Sequence, residues 1–349
     1  MRTEDFDYKL NTELIAQTPL KNRAESKLLV FNPNKNIIKH SHFYELSEFL
    51  HEGDVLVLND TKVLPARLFG NRVGKEEKIE VLLLKKRNLN DWECLVRPGK
   101  KMRIATKIEF GSGRLMGEVL EILEDGTRVI HFDYEGVFEE GLDELGEMPL
   151  PPYIKEKLEE KHRYQTVYAR ADGSAAAPTA GLHFTRNLIE KLKGKGIEFA
   201  TLTLHVGLGT FRPVKVKDVA SHQMHSEYYE LDEKNAEKLL FAKKEGRRII
   251  AIGTTSTRTL ESIAKLYGQI QASSGWTDIF IYPGFQFQVI DALITNFHLP
   301  KSTLMMLVSA FAGKKEIFHA YEIAQQEKYR FFSFGDAMFI EEEKNGHKF

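Results

Sequence analysis

Cysteine is nearly absent from this chain: Cys94 is the only one in 349 residues. No internal disulfide can form and no multi-cysteine metal centre is possible, which fits a reducing compartment. A surplus of one charge is missing too. With 49 Lys and Arg against 50 Asp and Glu, the formal charge is -1, so any nucleic-acid partner must be held by a local patch rather than by the whole surface. Long apolar runs are also lacking. The longest, residues 304–312, is broken by Ser309 and falls well short of the roughly 20 residues that a spanning helix needs. Residues 1–20 mix acids, bases and polar groups without the apolar core of a secretory leader. A cytoplasmic protein with no membrane partner is expected. No Asp, Glu and His grouping has a standard metal spacing, His222-Gln223-Met224-His225-Ser226-Glu227 included, so no metal is expected. A hydrophobic fraction of 42% at this length supplies a large core and about two domains.

Strand and helix patterns alternate at both ends of the chain. Strands are expected over 27–31, 55–58, 197–205, 248–252, 278–281, 292–297 and 329–334, and helices over 42–50, 187–193, 259–266, 303–312 and 316–326. Such alternation builds a central, largely parallel sheet with helices packed around it. Between about 66 and 137 the texture changes. Short β-prone segments at 80–84, 92–96, 107–110, 116–122 and 128–132 are separated by Gly, Asn and Asp turns, with Asp125-Gly126 the clearest hairpin signal. The expected fold is α/β: a large mixed, mostly parallel-sheet domain over 1–65 and 150–349, with a small all-β, barrel-like domain inserted at 66–149. The Pro-rich stretch 148–153 is its exit.

One stretch organises the rest. From Gly173 to Gly181, through Ser174, Ala176, Pro178 and Thr179, there is almost no side-chain bulk, so a ligand or another backbone can approach closely. Pro178 and the bracketing glycines favour a loop over a helix. His183 and Phe184 follow, then Thr185, a natural N-cap for the next helix. Further on, Gly207-Leu208-Gly209 follows a strand, but Phe211-Arg212-Pro213 opens no helix where a dinucleotide fingerprint requires one. Gly253-Thr254-Thr255-Ser256-Thr257-Arg258 carries a strand into a helix, and its hydroxyls and free amides suit a carboxylate or phosphate, beyond simple capping. In the β module, Lys85-Lys86-Arg87 and the run Arg97 to Arg103 form the best basic cluster, which either tracks a phosphate backbone or is a solvated turn.

Five stretches together resemble one family. They are Asn59-Asp60-Thr61-Lys62-Val63-Leu64-Pro65-Ala66-Arg67, the run Gly173 to Phe184, His205-Val206-Gly207-Leu208-Gly209-Thr210-Phe211, Gly253 to Arg258, and Asn296-Phe297-His298-Leu299-Pro300-Lys301-Ser302. The likeness is to the S-adenosylmethionine:tRNA ribosyltransferase-isomerases of queuosine biosynthesis, collinear from Asp5 to about Ile340. It implies transfer of the ribosyl group of S-adenosylmethionine to 7-aminomethyl-7-deazaguanine at the tRNA wobble position and rearrangement to epoxyqueuosine, with loss of adenine and methionine. S-adenosylmethionine is then a consumed cosubstrate and no other cofactor is implied.

On that resemblance, the proton-transfer candidates are His183 and His205, with Glu227 and Asp278 in reserve. The cosubstrate would lie among Ser174, Ala176, Thr179, Gly181, Gly207, Gly209 and His298, its carboxylate at Thr254, Thr255, Ser256 and Arg258, with Phe184 or Phe211 available for stacking. The tRNA would lie on Lys62, Arg67, Arg97, Lys100, Lys101 and Arg103. A monomer is expected. Two other readings stay open: an S-adenosylmethionine-dependent tRNA methyltransferase, and a tRNA-binding module without catalysis.

Overall fold

The computed structural model describes residues 1–207, 214 and 216–341. The chain opens with β1 (Lys27–Asn32), β2 (Ile37–His42), β3 (Val55–Asn59) and the short β4 (Thr61–Val63). Six strands follow: β5 (Arg67–Arg72), β6 (Lys78–Lys86), β7 (Asp91–Arg97), β8 (Lys107–Phe110), β9 (Leu115–Ile122) and β10 (Arg128–Tyr134). Next come α1 (Phe138–Leu145), β11 (Ala171–Ser174), α2 (Arg186–Lys193), β12 (Glu198–Leu204), β13 (Glu227–Leu231) and α3 (Glu233–Lys244). The chain continues through β14 (Ile249–Ile252), α4 (Gly253–Tyr267), β15 (Ser273–Thr277), β16 (Ala292–Asn296), α5 (Thr303–Ala312), α6 (Lys314–Gln326) and β17 (Ala337–Glu341).

Nine strands form the main sheet in the order β15-β13-β12-β3-β14-β16-β17-β1-β2. Its centre, β12-β3-β14-β16, is parallel, and the pairs at both margins are antiparallel. The central strands β3, β14 and β16 are buried at each position, as continuous apolar strands covered on both faces must be. Alternation along β3 divides the core. Val55 and Val57 join the face covered by Leu239 of α3, Leu260 of α4 and Met305 of α5, whereas Leu56 and Leu58 face Phe43, Phe184, Leu188 and Leu192. Among the described residues, no helix is long and apolar enough to cross a membrane.

The six strands between Arg67 and Tyr134 close into an antiparallel barrel, β10-β7-β6-β5-β8-β9. Leu68, Val81, Cys94, Ile108, Val119 and Ile130 fill it, and α1 lays Phe138 and Leu142 against that core. The neck of the insertion is narrow. Arg67 and Glu147 exchange backbone hydrogen bonds of 3.1 and 2.8 Å, and β4 on the way out pairs in parallel with β11 on the way back. The low-bulk stretch therefore begins where the barrel's connections meet the end of β3.

Several elements differ from the sequence expectation. Residues 278–281 form no strand; the strand is β15, just upstream. Residues 329–334 are irregular too, with Phe332 at a φ of 70°, and Asp336 accepts the backbone N–H groups of Lys27 and Arg330 before β17 starts. Residues 43–48 form a 3-10 helix, and α4 starts earlier than expected, at Gly253. The unanticipated β2 is an edge strand exposed along much of its length, so it lacks the apolar alternation that marks a half-buried strand.

The start of α2 is as expected. Thr185 accepts the Leu188 N–H at 3.1 Å. Thr185→Ala should lower the free energy of urea unfolding by about 1 kcal/mol; an unchanged midpoint would show that the cap carries no weight.

Candidate active site

Two cavities flank the segment 173–177. The inner one is a pocket of about 710 Å³ of empty space, its open mouth included, where β14 runs into α4 and β16 ends, lined by Ala176, Ala177, Thr179, Thr254, Thr255 and His298 among others. The low-bulk stretch is buried, and its backbone forms one wall, with Thr179–His183 as a 3-10 turn. Opposite stands the first turn of α4, whose leading N–H groups have no intrahelical acceptor. The Thr255 hydroxyl is buried without a partner among the described residues. Ser256 and Arg258, grouped with the two threonines on sequence grounds, do not reach this space. Ser256 Oγ bonds back to the Ile252 carbonyl at 2.9 Å, the usual fate of a mid-helix hydroxyl, and Arg258 turns away to pair with Glu227.

The outer cavity is a cleft of about 1500 Å³ between the barrel and the main sheet. Gly173, His205, Gly207 and Glu227 line it from the sheet side and Lys85, Lys86 and Trp92 from the barrel, while Val206 borders both cavities. His205 is held on three sides. Its Nδ1 lies 2.8 Å from Thr61 Oγ1, its ring stacks on Tyr228 at 5.9 Å, and its Nε2 edge lies over the bare Cα of Gly173, at a φ of +138°. Burial lowers the pKa of His205 against the opposing pull of Asp60, Glu230 and Asp172, so the imidazole is a neutral acceptor near pH 7.

His183 has a different environment. Its Nδ1 lies 2.7 Å from Ser26 Oγ and its Nε2 3.1 Å from Asn296 Nδ2, and its ring stacks on Phe43. Asn296 Oδ1 accepts from Thr179 at 3.0 Å, so the Asn296 amide donates to Nε2, and both ring nitrogens are satisfied. Burial pushes its pKa down to about 3. It lines neither of the two cavities but a different, small one beside Arg23 and Gly335. His298 lines the inner cavity with Nε2 2.9 Å from Thr295 Oγ1, and burial likewise holds it at about 3.

The other sequence candidates divide. Glu227 is buried, accepting the Gly207 N–H at 2.9 Å and pairing with Arg258, which makes it a brace for the His205 loop. Asp278 is exposed and lies at neither cavity. Ser174 is buried, donating to the Ala176 carbonyl at 2.7 Å and accepting from Val206 N–H at 2.9 Å. Gly181 makes room inside the protein: a Cβ there would sit 2.0 Å from the Tyr168 hydroxyl. Phe184 packs in the core beneath α2. Gly209 and Phe211 lie outside the described residues.

The basic residues separate in the same way. Lys62 pairs with Asp172 at 3.0 Å, Arg67 with Glu80 at 3.3 Å, and Lys101 with Glu77. Arg97, Lys100 and Arg103 are exposed, but at the far end of the β6–β7 hairpin, where Arg97 faces Glu80 while Lys86 faces Trp92. The lysines at the cleft are Lys85 and Lys86. Thr61 and Tyr228, which fix the His205 ring, were not among the sequence candidates, although the polar cluster ending β3 was a visible signal.

Known proteins resemble this chain along its whole length. The S-adenosylmethionine:tRNA ribosyltransferase-isomerase of Finegoldia magna is 61% identical over 99% of this chain and 100% of its own. Its namesakes in Staphylococcus haemolyticus and Clostridioides difficile are 57% and 56% identical, each over 97% of this chain and all of their own. A crystal structure of S-adenosylmethionine tRNA ribosyltransferase from Thermotoga maritima, 41% identical, matches 96% of this chain and 99% of its own with a TM-score of 0.56. A family model described as queuosine biosynthesis protein matches residues 3–340. The chain whose barrel and sheet enclose these two cavities belongs to the queuosine biosynthesis protein family.

Proposed function

We propose that this chain transfers the ribosyl group of S-adenosylmethionine to the aminomethyl group of 7-aminomethyl-7-deazaguanine in tRNA and rearranges it to the epoxycyclopentanediol of epoxyqueuosine, releasing adenine and methionine. The name shared by its close relatives supports the reaction. The observation that carries the site assignment is a neutral, partly accessible imidazole beside Val206, where the two cavities meet.

In this reading S-adenosylmethionine, consumed as a cosubstrate, occupies the inner cavity. Its carboxylate sits at the first turn of α4 with the Thr255 hydroxyl, where the helix dipole and free amides favour an anion. The low-bulk backbone from Ala176 to Thr179 leaves room for the ribose, and His298 stays neutral at the rim. The modified base enters the outer cleft. With Nδ1–H donated to Thr61, Nε2 of His205 takes the proton from the carbon beside the sulfonium. The anticodon stem then extends along the barrel towards Arg97, Lys100 and Arg103, about 17 Å from Lys86 at the usual strand rise. A monomer in the cytoplasm is part of the same reading.

The test supplies purified protein with precursor-bearing tRNA and S-adenosylmethionine labelled separately in methyl and ribose. Ribose label in the tRNA with release of adenine is expected. Methyl label alone would mean a methyltransferase, and tight binding without adenine release would mean a binding module.

Gly173→Ala probes the same geometry. The new Cβ would lie 3.0 Å from Cε1 and Nε2 of His205, so the ring must tilt off its Thr61 bond. Adenine release should fall about 100-fold, the scale of a displaced catalytic group; full turnover would show that the position of this ring does not matter.

A further inference from the structure

The chain has two tryptophans in opposite settings. Trp92 is buried against α1 in the barrel, whereas Trp276 on the edge strand β15 leaves 55% of its surface exposed. A single exposed apolar side chain needs no explanation, but the surroundings of this one do. The indole meets Tyr228 edge to face at 5.8 Å, and Tyr228 is the ring on which His205 stacks. From the barrel side, Lys85 sets its ammonium 4.5 Å from the indole centroid. Lys85 has no carboxylate partner among the described residues, while its neighbour Lys86 lies 3.6 Å from Glu139. All of these line the outer cleft.

We infer that Trp276, with Lys85 above it, is a stacking platform for an unpaired nucleotide of the RNA loop, next to the base that reacts at His205. The inference rests on the tRNA reading above. Single-stranded and loop RNA is held by splayed bases lying on aromatic faces, with cations close by for the phosphates. A base on the indole replaces an exposed cation–π contact, which is the weaker of the two, and frees Lys85 for a phosphate. Glu93, Asp125, Glu139 and Asp172 also line the cleft, and Arg87, Lys86 and Lys62 pair with Glu93, Glu139 and Asp172, which leaves Lys85 as the cation beside the indole that is available to a phosphate. A protein partner would need apolar surface around the indole, and the neighbours here are charged. Two ring-to-ring steps, of 5.9 and 5.8 Å, separate His205 from Trp276, a reach suited to an adjacent nucleotide and not to a remote stem.

The experiment uses the full chain and an RNA hairpin with the anticodon-arm sequence and unmodified guanine at the wobble position. In Trp92→Phe, Trp276 is the sole tryptophan, and the hairpin should quench its emission saturably. Trp276→Ala should weaken hairpin binding about 5- to 100-fold and raise the KM for tRNA, with the KM for S-adenosylmethionine unmoved. Trp276→Phe, which keeps a flat ring, should recover most of the affinity. Phe241→Ala, which removes another exposed aromatic, should change nothing. Absence of quenching, or hairpin binding by Trp276→Ala as tight as that of the unaltered chain, overturns the platform. A lower melting temperature with unchanged RNA affinity does so too, since it identifies the Lys85–Trp276 contact as a strut between barrel and sheet. The two readings fail separately: adenine release by the unaltered chain with no effect of Trp276→Ala removes only the platform. Quenching without any adenine release removes only the enzymatic reading.

Discussion

His205→Ala should lower the rate of adenine release at saturating substrates by about 10²- to 10⁴-fold, the range for a positioned proton-transfer group, with little change in the unfolding midpoint. His205 is only partly buried and lines the cleft, and its Nε2 has no hydrogen-bond partner among the described residues. Removing the ring leaves space that water can enter, so the one buried group it strips of a partner, the Thr61 hydroxyl, can be hydrated. His183→Ala should behave in the opposite way. It strips Ser26 and Asn296 of a buried partner and opens a hole beside Phe43, each of which destabilises, and whatever protein remains folded should turn over. Because burial lowers the pKa of His205, the base form persists into mildly acidic solution. The pH profile of kcat/KM should therefore be flat above about 6.5 and fall only below it. Equal loss of turnover in both variants, at equal stability, would remove the distinction between the two histidines.

Mild acid should unfold this protein steeply, and the physical cause lies in two other groups. His183 and His298 are held near pKa 3 by burial, whereas in the unfolded chain each titrates near about 6.5. Above pH 6.5 both states carry neutral rings and the full stability is present. Below it the unfolded chain binds protons that the folded one refuses, so stability is lost as the pH falls from about 6.5 towards 3. The slope is roughly 3 kcal/mol per pH unit for the pair, a large share of the roughly 5–15 kcal/mol typical of a domain. Asp336, raised by burial, works in the opposite sense and only nearer the carboxylate range. Urea unfolding at pH 7 and pH 5 measures the difference, and His298→Gln should remove about half of the slope. Equal stability at both pH values would mean that these rings are not buried as neutral species.

Much of the architecture was readable along the chain because its signals are local. The periodicity of 107–110 or 303–312 is complete within the element, and Thr185 caps its helix from an adjacent position. The low-bulk stretch identified a cavity wall for the same reason, since small side chains mean close approach whatever packs opposite. Elements whose stability comes from elsewhere were missed. The edge strand β2 depends on its pairing with β1, and residues 329–334 looked like a strand until Asp336 fixed them by bonds to Lys27 and Arg330.

The class of fold, the inserted barrel, the family likeness and the loops from which a site would be built are all legible in the order of residues alone. Which of those loop residues face a ligand was decided only by the tertiary structure. His183 and His205 each border a small-residue run and look equivalent in one dimension. Their difference comes from partners far along the chain: Ser26 and Asn296 close both nitrogens of the first, whereas Thr61 takes one nitrogen of the second and the other, beside the bare Cα of Gly173, has no hydrogen-bond partner among the described residues. The lysines at the cleft, Lys85 and Lys86, were likewise settled by which end of the barrel meets the sheet. Periodicity reports the backbone a residue belongs to, while desolvation and hydrogen bonding depend on what the folded chain brings against it.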